Sequence, residues 1–261
     1  MKHFNSICTI HDWLQINKIP WNLEKINSKT DQAPIGPGIR KPFIISDSKG
    51  RYLREHIQSP VENQIIWQYK GGRTTYEGYN WLLQNIDHQV GQHDNIHFYI
   101  WLATCDLTSY NLPFIYLACE NNDGIHHIFD TYHQITETVN HYPHCRVTFL
   151  ETPVYSIYEN NKYKGQTDSE FKKLDNKLLS QINELNQITR EINIGLNNTS
   201  PVFSNDLSRQ HGKNSKTKQT PRDQYKYNLL KDGLHPGINL SKVWLKKLEL
   251  QIKKDCWENW H

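Results

Sequence analysis

The chain has 261 residues and a mass of 30.9 kDa, enough for one large domain or two small ones. Hydrophobic content of 36% and a mean hydropathy of −0.76 are low, yet eight Trp, fourteen Tyr and eight Phe exclude a disordered chain, which would lack that aromatic bulk. A net charge of +3 is too mild to imply a nucleic-acid partner by itself.

In chain order, residues 1–41 read as an extension that ends in "APIGPGIRKP", whose prolines and glycines mark a linker ahead of a domain over 42–261. The apolar run 43–45 predicts a buried strand that stops at Ser46-Asp47-Ser48, with a helix starting near Lys49. Residues 61–69 predict a second strand, followed by the loop Lys70-Gly71-Gly72-Arg73 and a helix over 76–86. "IHFYIWLAT" (96–104) is almost wholly apolar, as a strand covered on both faces is. Residues 111–119 fit strand and loop equally.

Ile125, Ile128, Phe129, Tyr132, Ile135 and Val139 step at helical spacing. A buried strand over 145–153 comes next, and Thr167-Asp168-Ser169-Glu170 predicts a capping box. It opens a long helix whose apolar residues, from Phe171 to Ile192, step by three and four. A short last strand over 200–206, a polar loop, the "KDGLHPG" turn and a helix over 240–257 complete the chain. Strands alternating with helices imply a parallel sheet covered on both faces: a three-layer α/β/α sandwich, with five strands.

The five cysteines are odd in number and never spaced as CxxC, so neither a disulfide frame nor a zinc knuckle follows. The amino terminus has no apolar stretch of signal-peptide length and nothing downstream suits a bilayer, so an intracellular, cytoplasmic setting is expected.

Catalytic groups in parallel α/β folds gather at the carboxyl ends of the strands. Four strand-end stretches fall there: Ser46-Asp47-Ser48, Gly71-Gly72-Arg73, Ala103-Thr104-Cys105-Asp106 and Asp232-Gly233-Leu234-His235. In order and spacing they resemble the sequence blocks of the SGNH, or GDSL-type, serine hydrolases over roughly 42–257. That resemblance implies a flavodoxin-like sandwich with no metal and no cofactor, acting on carboxylic esters of small molecules, lipids or carbohydrates. Carried over, it makes Ser48 the nucleophile, His235 the base and Asp232 its acid partner. The oxyanion hole would be the Ser48 and Gly72 amides with the group at position 105.

The chemistry suits those roles. A serine hydroxyl is inert at neutral pH unless an imidazole takes its proton, and a carboxylate three residues before the histidine can hold its other ring nitrogen. Two positions depart from the family pattern. Ser46 stands where the first block has glycine. Cys105 stands where the third block has an asparagine, and a thiol is a weak donor where an amide is a good one.

Blander readings stand beside these. Ser48 and Asp47 suit a helix cap, Asp232 an Asx turn, and Cys105 a buried structural thiol. His126, Asp130, His133 and Glu137 share a helical face as solvated polar residues, with a metal site the minority alternative. Arg209, Lys213, Lys216, Lys218 and Arg222 form a basic run without an acid, read as a solvated loop or as a contact for phosphate, anionic lipid or nucleic acid. Lys242, Lys246, Lys247, Lys253 and Lys254 on the last helix would extend it. A catalytically degenerate domain serving in binding or assembly is therefore the alternative function.

Overall fold

The computed structural model describes residues 34, 36–209 and 220–257, so Lys213, Lys216, Lys218 and nearly all of the expected amino-terminal extension lie outside the described residues. Strand β1 (Lys41–Ser46) is followed by helix α1 (Ser48–Arg54), β2 (Ile66–Tyr69) and α2 (Thr75–His93). Then come β3 (Ile96–Trp101), a single helical turn α3 (Thr104–Leu107), and the antiparallel hairpin β4 (Thr108–Asn111) and β5 (Phe114–Leu117). Helix α4 (Asp123–Asn140), β6 (Arg146–Phe149), α5 (Ile157–Tyr163), α6 (Glu170–Gly195) and α7 (Ile238–Cys256) complete the order.

The main sheet is parallel, in the order β2-β1-β3-β6. All six residues of β3 are buried, as its unbroken apolar sequence requires of a central strand. Helices α1 and α7 pack on each other and on β1; α2 and α4 pack on each other, α2 also against β1 and α4 against β6. Right-handed crossovers put the two pairs on opposite faces, giving three layers. The registers Ser46↔Tyr69 and Ser46↔Trp101 align the carboxyl ends of β1, β2 and β3, so the loops leaving them share one rim.

The sheet has four strands where the sequence suggests five. Residues 200–206, expected as the last strand, are extended only briefly and then form a 3-10 turn, Phe203–Asp206. The outer edge of β6 is satisfied by side chains instead. Asn193 bonds both the N–H and the C=O of Phe149 (3.0 and 2.7 Å), and Asn198 donates to the Val147 carbonyl (2.7 Å). Just beyond the strand, Asn186 bonds both backbone groups of Thr152 (2.8 and 2.9 Å). Side-chain amides thus take the place of a fifth strand on the edge.

Smaller differences have local causes. Strand β2 is shorter than expected because Glu62–Gln64 is a 3-10 turn, held by Glu62 accepting from the Gln58 and Ser59 amides. The capping box expected before α6 does not close: Asp168, not Thr167, accepts from the Glu170 amide (2.9 Å). On α4, Phe129 is 36% exposed against the His133 ring rather than in the core. The Pro- and Gly-rich stretch before β1 lies on the end of α7, with the Ile39 amide on the Cys256 carbonyl (2.7 Å) and the Trp257 indole donating to the Gly36 carbonyl.

Candidate active site

Ser48 is the first residue of α1, directly after β1, and Asp47 caps that helix by accepting from the Lys49 amide (2.9 Å). Ser46 is fully buried and fits because residue 50 is glycine: a Cβ there would sit 2.0 Å from Ser46 Oγ.

Residues 229–237 bring His235 back to this rim. The stretch is closed by the Leu230↔Pro236 bridge and by the Lys231 amide on the His235 carbonyl (2.8 Å). Gly233, at φ +80, is pressed on α5, where a Cβ would come within 2.5 Å of the Asn160 nitrogen, so only glycine fits. Asn160 also donates to the Asp232 carbonyl (3.0 Å), and the Ser156 amide donates to the Gly233 carbonyl (2.9 Å). Behind α5, buried Asp175 of α6 accepts from the Ser156 hydroxyl (2.7 Å) and from Arg222 Nε (2.9 Å).

Ser48 Oγ lies 2.9 Å from His235 Nε2, and His235 Nδ1 lies 2.7 Å from Asp232 Oδ2. The other Asp232 oxygen accepts from the His235 and Leu234 amides (2.8 and 3.1 Å). Burial works to raise the Asp232 carboxyl, but the hydrogen bonds from the His235 ring and these amides prevail and hold it at about 2. The Tyr52 ring of α1 leans on the imidazole, with ring centres 4.7 Å apart. A cavity of about 680 Å³ opens over these groups and is also lined by Gly72, Thr104 and Cys105.

Gly72 follows β2 at φ +75, where glycine is at ease. Among the described residues, no protein acceptor takes the Ser48 or Gly72 amide hydrogen. Ala103, just before the α3 turn, is held at φ +77, a left-handed conformation costing roughly 1–2 kcal/mol. Burial, reinforced by the Asp47 carboxylate, pushes the Cys105 thiol up to about 12, so it is a neutral thiol and no thiolate nucleophile. Asp106 ties this turn to α2, accepting from the Thr75 amide and hydroxyl (both 2.9 Å). Burial raises its carboxyl to about 6. Below the rim, Lys49 is buried between the Asp47 carboxylate and the Thr104 hydroxyl.

Of the basic run expected around the polar loop, only Arg209 and Arg222 lie among the described residues, and Arg209 is exposed. Arg222 pairs with Asp175 and Glu159, and Arg209 donates to the Tyr225 carbonyl. On α7, Lys246 pairs with Glu62 and Glu249, Lys247 with Asp206, and buried Lys253 with Glu249. His126, Asp130, His133 and Glu137 are exposed on α4, and no His, Cys, Asp and Glu cluster suited to a metal occurs among the described residues. None of their helices is long and apolar enough to cross a membrane. Tyr52, Asn160 and Asp175 were not legible as site residues, since each acts only through a contact distant in sequence.

No protein-family model matches the sequence, and no curated protein matches it. Solved structures match by shape. A GDSL-like lipase from Bacteroides thetaiotaomicron is 14% identical with a TM-score of 0.57, over 90% of this chain and 98% of that one. A lipase/acylhydrolase from Enterococcus faecalis is 13% identical with a TM-score of 0.51, over 83% of this chain and 97% of that one. A mutant acetyl-xylooligosaccharide esterase from Geobacillus is 12% identical with a TM-score of 0.51, over 84% of this chain and 96% of that one. At such identities the likeness carries the architecture alone: the chain has an SGNH/GDSL hydrolase-like fold.

Proposed function

We propose that the protein is a serine esterase or deacylase, with Ser48 as nucleophile, His235 as general base and acid, and Asp232 as the group that orients the imidazole. The observation that carries this reading is the unbroken hydrogen-bonded chain from Ser48 Oγ through His235 to Asp232 at the floor of a cavity. Ester hydrolysis by structural neighbours named as lipases and esterases agrees with it.

In the first half-reaction Ser48 Oγ attacks the ester carbonyl carbon while its proton passes to His235 Nε2. The tetrahedral oxyanion is held by the Ser48 and Gly72 amides, with the Cys105 thiol in the third place. Collapse expels the alcohol, which takes the proton from His235. Water then attacks the acyl-enzyme with His235 again as base, releasing the acid and restoring Ser48. Asp232, with its low pKa, stays ionised and stabilises the imidazolium throughout. Lacking one amide donor, the hole predicts turnover slower by ~10²–10³ than a complete one gives.

A fluorophosphonate probe is expected to label the wild type and not Ser48→Ala. Absence of labelling, together with no turnover of activated acetyl or butyryl esters, would sink the reading.

A further inference from the structure

The cavity over Ser48 carries charge that ester hydrolysis does not use. Arg51, Lys70 and Lys164 line it, whereas among the described residues its one lining carboxylate is Asp232, already bonded to His235. Arg51 and Lys70 face acids outside the cavity, Glu55 at 3.9 Å and Glu77 at 3.2 Å. Lys164 has no carboxylate partner among the described residues; its ammonium lies 4.7 Å from the centre of the Tyr110 ring on the hairpin.

Lys164 caps α5, the element that also fixes the Asp232 loop, so this cation and the proposed base share one support. Burial lowers its pKa, against the pull of Asp232, which marks an ammonium partly withdrawn from water. An aromatic face compensates such a cation only in part. Ile115, Leu234 and the Tyr69 and Tyr110 rings line the cavity beside the three cations, so it offers apolar surface for the body of an ester and positive charge for an anionic end.

Resting on the esterase reading, we propose that the esters this site takes carry an anionic group, a carboxylate or a phosphate, bound by Lys164 with Arg51 and Lys70 adding to the field. A charge-assisted bond to a partly desolvated ammonium favours such an ester by about tenfold or more over a neutral one of the same shape.

The experiment compares kcat/KM for para-nitrophenyl hemisuccinate and para-nitrophenyl butyrate, for an anion on the acyl side. Acetoxybenzoate and acetoxyphenyl phosphate against phenyl acetate test an anion on the alcohol side. In parallel, Ser48→Ala protein is titrated with monomethyl succinate and dimethyl succinate, which reports recognition without turnover. The expected result is an anionic preference of about tenfold in at least one series. It should fall toward parity in Lys164→Gln, persist in Lys164→Arg and shrink with added salt. Hydrolysis of neutral esters without an anionic preference, or a preference that survives in Lys164→Gln, overturns this inference and leaves the esterase reading standing. Binding of the half-ester by Ser48→Ala protein with no hydrolysis of any ester by the wild type sinks the esterase reading instead.

Discussion

Ser46 and Cys105, the two positions that differ from the sequence blocks the chain resembles, have different physical standing. Ser46 is compensated, because Gly50 leaves room for its side chain. Alanine suits a helix interior better than glycine by about 1 kcal/mol, so Gly50→Ala would ordinarily stabilise α1. Here the added methyl meets Ser46 Oγ, and the expected outcome is a loss of about 1–3 kcal/mol in urea melts. The same substitution made in a Ser46→Gly background should recover part of that loss, the 3.2 Å approach to Tyr69 Cβ remaining. Equal effects in both backgrounds would show the two positions to be independent. Cys105, by contrast, has no compensation in the proposed oxyanion hole, since a neutral thiol supplies only a weak donor. Cys105→Asn is therefore expected to raise kcat about tenfold or more, toward the ~10²–10³ one good donor supplies. An unchanged kcat at retained Tm would remove Cys105 from the oxyanion hole.

At the scale of elements, what could be read from sequence was periodicity. The apolar run of β3, the stripe of α4 apart from Phe129, and the stepping residues of α6 announced buried strand and half-buried helices because burial itself sets those patterns. The edge of the sheet was not legible. Asn186 and Asn193 stand seven residues apart on α6, two helical turns along one line, and both are buried. That spacing was the available signal, but only the fold reveals that β6 lies beneath them. Asn193→Leu strips partners from the Phe149 N–H and C=O, each worth about 1–3 kcal/mol when left unsatisfied. Urea unfolding is expected to register a loss of about 2–4 kcal/mol, and a change below about 0.5 would mean that water or a neighbour replaces the amide. The candidate site was legible differently. Asp232 and His235 lie three residues apart and Ser48 sits at a strand end, so their types and places gave them away, whereas Tyr52 and Asn160 had no local signature.

At the scale of the whole molecule, the fold closes 187 residues of chain between Ser48 and His235 into one hydrogen bond. That closure depends on a relay of supports, from Asp175 of α6 through Ser156, which caps α5, and Asn160 of α5 to the Asp232 loop. Asp232 is thus both the proposed partner of the base and a tie for the carboxy-terminal quarter of the chain. Its folded pKa of about 2 lies below the ordinary 3.8, so the folded state favours the carboxylate. The stabilisation is complete above the unfolded value and disappears as pH falls through about 2, where both states are protonated. After allowance for solvent at this half-buried group it amounts to about 1 kcal/mol. Unfolding of the wild type and of Asp232→Asn, followed in urea from about pH 7 to about pH 2, should show a constant gap above about pH 5 that narrows below it. A gap that instead grew on acidification would mean that the Asp232 carboxyl is held above its ordinary value, and the proposed polarisation of His235 would go with it.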